Sequence, residues 1–352
     1  MVLLKECLLC LKKSYPKRIR FFSDKIREST YVGIVDAPVE EGQKKRGVSK
    51  APQVLREAGL IQKLKEDCNV SVKDYGAISF DGNIKSSSKK LPENMLNYER
   101  VVGYNKNLSE IVQKVINDGR ICLTLGGDHS IGLGSVSGHC KAKGGENTAL
   151  IWVDAHADIN TNKTSDSGNI HGMPVALLAQ DLIPYWSNLP FMDWHHSLLP
   201  LKNIAYIGLR SIDPYEEFLI QKMGIVCYDI YDVQKYGIDS VINESLRKID
   251  PDATKSIHLS FDIDALDPSD APSTGTPVDG GLLLREGIYI ASTIHKTGRL
   301  GAMDLVEVNP TLGDEEDVQK TINSALQVIA AAFGYGRRGL KPGLEDLKQV
   351  RF

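Results

Sequence analysis

The sequence predicts a three-layer α/β/α domain built on a mainly parallel central sheet, and three observations carry that prediction. Short β-branched runs alternate with longer stretches of helical periodicity, several of the runs are apolar on both faces, and polar clusters stand at their carboxyl ends. Strands buried between two helix layers read as continuous apolar runs, and ligands collect where such strands end. The strand-like runs are, in order, "YVGIVDA", "ICLTLGG", "TALIWVDAH", "NIAYIGLR", "GIVCYD", "SIHLSFDID" and "GAMDLVEV". Helical periodicity fills the intervals, as in "APQVLREAGLIQKLKED" and in "YERVVGYNKNLSEIVQKVINDG", the latter closing on Gly119 as a helix cap would. Residues 82–94, 160–169 and 267–281 are rich in turn formers and read as loops.

At 352 residues the chain is long enough for one large domain with a real core. Its 42% hydrophobic and 25% charged residues exclude a disordered chain, and no apolar run reaches the ~20 residues that span a bilayer. A formal charge of −3 gives no footprint for nucleic acid. Six scattered cysteines lack the spacing of a zinc ribbon and read as reduced thiols in an intracellular protein. Residues 1–30 differ from the rest: Lys5, Lys12, Lys13, Lys17, Arg18, Arg20 and Lys25 face only Glu6 and Asp24, among leucines at helical spacing. This basic extension is the pattern of a mitochondrial transit peptide, with a cytoplasmic protein as the alternative. Residues 31–339 form a single domain and 340–352 a C-terminal tail.

"IWVDAHADIN" drives an apolar run into ionisable groups. In an extended segment Asp154, His156 and Asp158 would point to one side. "HLSFDIDALD" repeats the device with Asp262 and Asp264, and "LTLGGDHS" adds His129 after a Gly-Gly turn. Four carboxylates in one cleft repel one another unless cations neutralise them, and two divalent ions close the charge count. Oxygen and imidazole donors without thiolate favour manganese over structural zinc. Such a centre activates water and polarises an electrophile, so hydrolysis is the natural reaction class, and the residual negative charge suits a cationic substrate. Glu307 in "DLVEVNP" could hold that cation and His171 in "SGNIHGMP" could carry protons. The remaining histidines read as structural: His195 and His196 on a surface loop, His139, His258 and His295 packed on regular elements. "GLGSVSG" (132–138) misses the dinucleotide spacing and reads as a packing device. Phosphoesterases of the two-metal kind add a Gly-Asn-His element, which "SGNIHG" interrupts.

Together "GGDHS", "WVDAHADIN", "SGNIHGMPV", "YIGLRSIDPYE", "SFDIDALDPSDAPSTGTPV" and "LVEVNP" resemble the arginase (ureohydrolase) family, on its arginase rather than its agmatinase side, over residues 31–339. The resemblance implies an arginase-like catalytic domain with two Mn²⁺ ions per subunit. One would be held by His129, Asp154, Asp158 and Asp262, the other by His156, Asp154, Asp262 and Asp264. It implies that a bridging hydroxide attacks the guanidinium carbon of L-arginine, giving L-ornithine and urea, with Asp158 handling a proton, His171 shuttling protons and Glu307 orienting the guanidinium. It further places Asn160, Ser167 and Asn169 at the substrate α-carboxylate, Asp213 and Glu216 at the α-amino group, and Thr276 in the loop that closes the site. Ser211, Tyr215 and Asp279 depart from the family pattern, which touches α-amino recognition rather than the metal ligands. Arg285, Glu286 and Arg337 resemble the family's subunit contacts, so a trimer is expected. The alternatives are a sister ureohydrolase acting on agmatine or another guanidino compound, and a non-catalytic homologue that binds arginine or metal.

Overall fold

Eight strands form one sheet in the order β2-β1-β3-β8-β7-β4-β5-β6, and each neighbouring pair is parallel. The strands are β1 (Thr30–Ala37), β2 (Val70–Ala77), β3 (Ile121–Gly126), β4 (Thr148–Val153), β5 (Ile204–Leu209), β6 (Val226–Asp229), β7 (Ser256–Asp262) and β8 (Leu300–Val306). This computed structural model describes residues 30–336 except 81, 83–89, 187 and 197. The basic N-terminal extension (apart from Thr30), the C-terminal tail and Arg337 lie outside the described residues. Seven of the eight strands coincide with the apolar runs. The eighth, β2, is an edge strand whose "VSVKDYGA" is mostly exposed or half-exposed, so it lacks the apolar signature of a central strand.

The helices are α1 (Ala51–Glu57), α2 (Leu60–Asp67), α3 (Tyr98–Asn117), α4 (Gly132–Lys143), α5 (Pro174–Leu178), α6 (Ile183–Trp186), α7 (Pro214–Met223), α8 (Ile230–Tyr236), α9 (Ile238–Ile249), α10 (Leu284–Thr297) and α11 (Glu315–Ala332). The periodic segment 51–67 is two helices rather than one. Gly59 takes φ 89° between them, a left-handed conformation that ends the first and starts the second.

Strand alternation sorts the core onto two faces. Ile151 and Val153 join α1, α2 and α8 to α11 in one apolar cluster, while Leu150 and Trp152 join α3, α4, α5 and α7 in the other. β4 and β5 are buried along their whole length. Fully burying side chains such as these contributes roughly 1.5–3 kcal/mol each. The glycines of "GLGSVSG" are indeed a packing device: a Cβ on Gly134 would lie 2.5 Å from the Asn105 carbonyl oxygen and one on Gly138 2.6 Å from that of Ser109, so α4 meets α3 backbone to backbone. Among the described residues no helix is long and apolar enough to cross a membrane.

The order of the strands places the site. β3, β8, β7, β4 and β5 are consecutive neighbours at the centre of the sheet, although β3 and β4 are separated there by the last two strands of the chain. Every run that ends in an ionisable motif therefore ends beside another such run. Such a reversal of strand order opens a crevice at the carboxyl edge.

Candidate metal centre and substrate cleft

His129 follows β3 through the Gly126-Gly127 turn and is 1% exposed. Its ring stacks on Trp152, with centroids 3.9 Å apart and planes at 8°. Its Nε2 lies 2.9 Å from Ser260 Oγ, and that hydroxyl lies 3.4 Å from Asp304 Oδ2. The serine hydroxyl can donate only one hydrogen. It donates to the carboxylate and accepts the Nε2 proton, which leaves the His129 Nδ1 lone pair free. Nδ1 is 2.9 Å from Asp154 Oδ2 and 3.2 Å from both Asp158 Oδ2 and Asp262 Oδ2, yet it makes no directed hydrogen bond. Burial opposes a charge on this ring, but the three carboxylates override it and push its pKa well above the ordinary range. The arrangement demands a cation at Nδ1, either a proton or a metal ion.

Beyond β4 the expected alternation fails. The strand ends at Val153, and Asp158 adopts φ 52°, a left-handed conformation uncommon outside glycine. Asp154, His156 and Asp158 converge through a turn rather than along one face of an extended segment. Asp154 is fixed by donors from both sides: Oδ1 accepts from the His156 amide (2.7 Å) and Oδ2 from Trp152 Nε1 (3.0 Å). His156 Nδ1 lies 3.4 Å from Asp154 Oδ1 and 3.3 Å from Asp264 Oδ2. At the end of β7, Asp262 Oδ1 accepts from the Asp264 amide at 2.8 Å, so these two aspartates converge through a tight turn as well.

Two sets of donors result, His129 with Asp154 and Asp262, and Asp154 with His156 and Asp264. Within each set the ligand atoms lie within 4.8 Å of one another, and Asp154 belongs to both. Burial, then the charges of Asp264 and Asp154, push Asp262 well above the usual carboxylate range. Burial and the Asp154 charge raise Asp158 to about 6. These shifts measure the repulsion that a bound cation would relieve. The orphaned His129 Nδ1 and the shared carboxylate fit a metal pair.

Glu307 follows β8, also left-handed at φ 62°. Its Oε1 accepts from the His129 amide (2.9 Å) and meets His171 Nδ1 at 2.8 Å. Burial works against a charge on His171, but Glu307 outweighs it and lifts the imidazole to about 9. His171 and Glu307 thus form one unit beside the carboxylates.

A cleft of about 280 Å³ opens over the cluster. His156, Asp158, Asn160, Ser167, Asn169, His171, Asp213, Glu216, Asp262 and Thr276 line it, so most of the residues singled out in the sequence meet in one cavity. Asn160 donates from Nδ2 to Asp213 Oδ2 (2.8 Å) and accepts from Thr164 Oγ1 (2.7 Å). Glu216, raised to about 7 by burial, accepts from the Ile159 and Asp213 amides, both at 3.0 Å, and so ties α7 to the loop after Asp158. Thr276 Oγ1 donates to Asp264 Oδ2 at 3.0 Å. Ser211, a departure from the family pattern, lines the cleft, whereas Tyr215 and Asp279 are exposed and outside that lining. Arg285 is exposed, and Glu286 caps α10 by accepting from the Leu283 amide.

Sequence reasoning missed Ser165, Asp166 and Gly172 in the lining, and it missed the support behind His129. That support had a signal. His258, Ser260 and Asp262 alternate with Leu259 and Phe261 in β7, so a polar face runs down the strand to the ligand. His195 corrects an expectation: it is 2% exposed rather than on a surface loop, with Nδ1 2.8 Å from Ser137 Oγ and Nε2 3.0 Å from the Leu177 carbonyl. His196 is exposed, and His139, His258 and His295 pack on α4, β7 and α10. Cys68, Cys122, Cys140 and Cys227 are free thiols.

Comparison with known proteins agrees with this geometry. The sequence model of the arginase family matches residues 30–334. Arginase-1 of Oryctolagus cuniculus is 45% identical over 314 residues, covering 89% of this chain and 95% of its own. "Arginase-2, mitochondrial" of Homo sapiens is 44% identical over 310 residues, covering 88% and 86%. The crystal structure of Entamoeba histolytica arginase in complex with L-ornithine superposes with a TM-score of 0.75 at 32% identity, covering 87% of this chain and 99% of that one. A fold whose central strand ends carry paired donor sets, matched along nearly the whole described chain, places this protein in the arginase family.

Proposed function

We propose that this chain hydrolyses L-arginine to L-ornithine and urea on a pair of Mn²⁺ ions. The observation that carries the reading is the pair of donor sets sharing Asp154 at the floor of a polar cleft. The family match and arginase relatives at about 43–45% identity support the same reaction. His129, Asp154, Asp158 and Asp262 would hold one ion, and His156, Asp154, Asp262 and Asp264 the other. Bound divalent ions supply water activated near neutral pH and neutralise the four carboxylates.

The side chains divide the remaining work. Glu307 presents a buried carboxylate to a guanidinium, a planar cation suited to paired hydrogen bonds. His171, hydrogen-bonded to Glu307 and lining the cleft, carries protons between the reacting centre and solvent. Asp158, raised towards neutrality, accepts and returns a proton beside the reacting atoms. Asn160, Ser167 and Asn169 receive the α-carboxylate, and Asp213 with Glu216 receives the α-amino group. The Asn169 Oδ1 is buried without a protein partner and, as an acceptor, is open to an N–H or O–H donor, so only the Nδ2 of this side chain can serve the α-carboxylate. Agmatine has no α-carboxylate, so it leaves these donors unpaired. Thr276 fixes Asp264 from the closing loop.

Urea release from arginine and from agmatine, each with and without added Mn²⁺, tests the reading. Manganese-dependent release from arginine supports it; release from agmatine alone moves the assignment to a sister ureohydrolase. The basic extension is assigned to mitochondrial targeting, and a reporter carrying residues 1–30 that stays cytosolic overturns this. A trimer through the surface bearing Arg285 is expected from sedimentation equilibrium.

A further inference from the structure

Arg210, just beyond β5 in "GLRSIDP", has no part in the reaction described above, yet it is tied to three chain segments at once. Its amide donates to the Ala155 carbonyl at 2.9 Å, and the next amide, Ser211, donates to the same oxygen at 3.0 Å. Its guanidinium donates to main-chain carbonyls: Nε to Val278 (3.1 Å), Nη1 to Gly208 (3.4 Å) and Ala265 (3.2 Å), and Nη2 to Asp264 (2.7 Å), Leu266 (3.3 Å) and Val278 (2.8 Å). Five carbonyls saturate the five N–H groups of a rigid planar fork, and the three donors of a lysine ammonium could not replace them. The fit is close enough that a Cβ on Gly281 would stand 2.6 Å from Nη2. Among the described residues Arg210 forms no ion pair with a carboxylate.

The segments it joins are those of one donor set. Ala155 sits between Asp154 and His156, and its amide lies 3.4 Å from Asp264 Oδ1. The Asp264 carbonyl is the shortest contact of the guanidinium, and Val278 is two residues beyond Thr276, which bonds to Asp264. His129 is held instead by Ser260, Trp152 and Glu307. We propose that the Arg210 guanidinium is a positioning group that holds Asp264, which belongs only to the His156 donor set, against the 154–156 turn that the Arg210 main chain carries, while the His129 ion depends on other supports. The inference rests on the two-ion reading of the site. It separates a motif arginine from substrate recognition and makes it a selective anchor for half of the metal centre.

The test uses the full chain with Arg210→Met and Arg210→Lys, dialysed against graded Mn²⁺ and assayed for metal per chain by elemental analysis, with thermal unfolding recorded with and without Mn²⁺. Wild type is expected to hold two ions. Arg210→Met is expected to keep one and to bind the other roughly 10–100-fold more weakly, the usual cost of losing an outer-shell partner. Arg210→Lys should show the same selective loss to a smaller extent, and it carries the test if the methionine variant does not fold. A general structural role would weaken both ions together. Wild type that never takes up two ions overturns the two-ion reading and the selectivity with it. Wild type with two ions, and variants that keep both or shed both in parallel, overturns the Arg210 assignment alone.

Discussion

Two buried polar clusters share His129 as their boundary, and they solve the burial of charge in opposite ways. Behind it, Asp304 is the one carboxylate, and it collects the Ser135 hydroxyl (2.5 Å), His258 Nε2 (2.9 Å) and the Ser260 hydroxyl (3.4 Å). His258 Nδ1 meets His139 Nδ1 at 3.3 Å, and His139 Nε2 meets Ser256 Oγ at 2.8 Å. Burial, then the neighbouring His258, holds His139 well below the ordinary imidazole range, so it stays neutral. There the protein itself supplies three donors to Asp304 Oδ2, and Oδ1 is left without a hydrogen-bond partner. In front, four aspartates face two imidazoles, Nδ1 of His129 is left without a directed partner, and Asp262 is driven upward in pKa. Burial of polar groups is common to both regions. The unpaired acceptor behind is a single carboxylate oxygen, Asp304 Oδ1, whereas in front several whole carboxylates face one another, and that larger surplus marks where a cation from outside belongs.

Removing one carboxylate from each side should affect the two clusters in different ways. Asp262→Ala should lower kcat by roughly 10³-fold or more and cost bound metal, because in the proposed site this carboxylate would serve both ions. Retention of two metals per chain with undiminished urea release would refute the assignment. Asp304→Ala should act on the fold instead. Removing the carboxylate strips the buried Ser135, His258 and Ser260 groups of their shared acceptor, at a cost of about 1–3 kcal/mol for each group left unpaired, read as a fall in the denaturation midpoint. If Asp304→Ala left stability intact, the self-sufficient view of the rear cluster would fail.

Buried histidines in different parts of the molecule also respond differently to pH. His171 is raised by Glu307, whereas burial lowers His195, in the helix layer around α4 and α5, to about 4 from 6.5. The folded value of His195 lies below the unfolded one, so the unfolded chain takes up the proton first. The stability it contributes is complete above pH 6.5 and is lost as pH falls towards 4, an upper bound of roughly 3 kcal/mol. His195→Gln should therefore lose part of the acid sensitivity of wild type between pH 7 and 5 in thermal unfolding. Equal slopes for the two proteins would contradict the assignment. The smallest effect is expected at the cleft rim: Asn160→Ala should raise KM for arginine about tenfold and shift the melting temperature little. A large loss of stability would mean that its bonds to Asp213 and Thr164 serve the fold before the ligand.

Much of this was legible along the chain. Val and Ile runs marked the six central strands, which must be apolar on both faces, and the half-buried edge strand β6, while the other edge strand, β2, escaped because an edge need not be apolar. The six candidate ligands stood out because carboxylates and imidazoles directly after such runs have no local reason to be there. The inferred geometry around them was less sound. Asp154 to Asp158 was expected to follow an extended strand, but the chain turns at Val153 and Asp158 goes left-handed, a choice that tertiary contacts impose. His195 was misplaced because burial of a loop residue depends on which helices cover it.

By itself, then, the sequence determined the elements, their apolar faces, the donor types and the charge surplus, since all four follow from local periodicity and residue chemistry. Only the tertiary structure decided that β8 and β7 insert between β3 and β4, that Asp154 is shared by two donor sets, that Ser260 and Asp304 orient His129, and that Arg210 gathers five carbonyls. Each of these joins residues tens to hundreds of positions apart, and such pairings are fixed by how layers pack, not by any pattern within one segment.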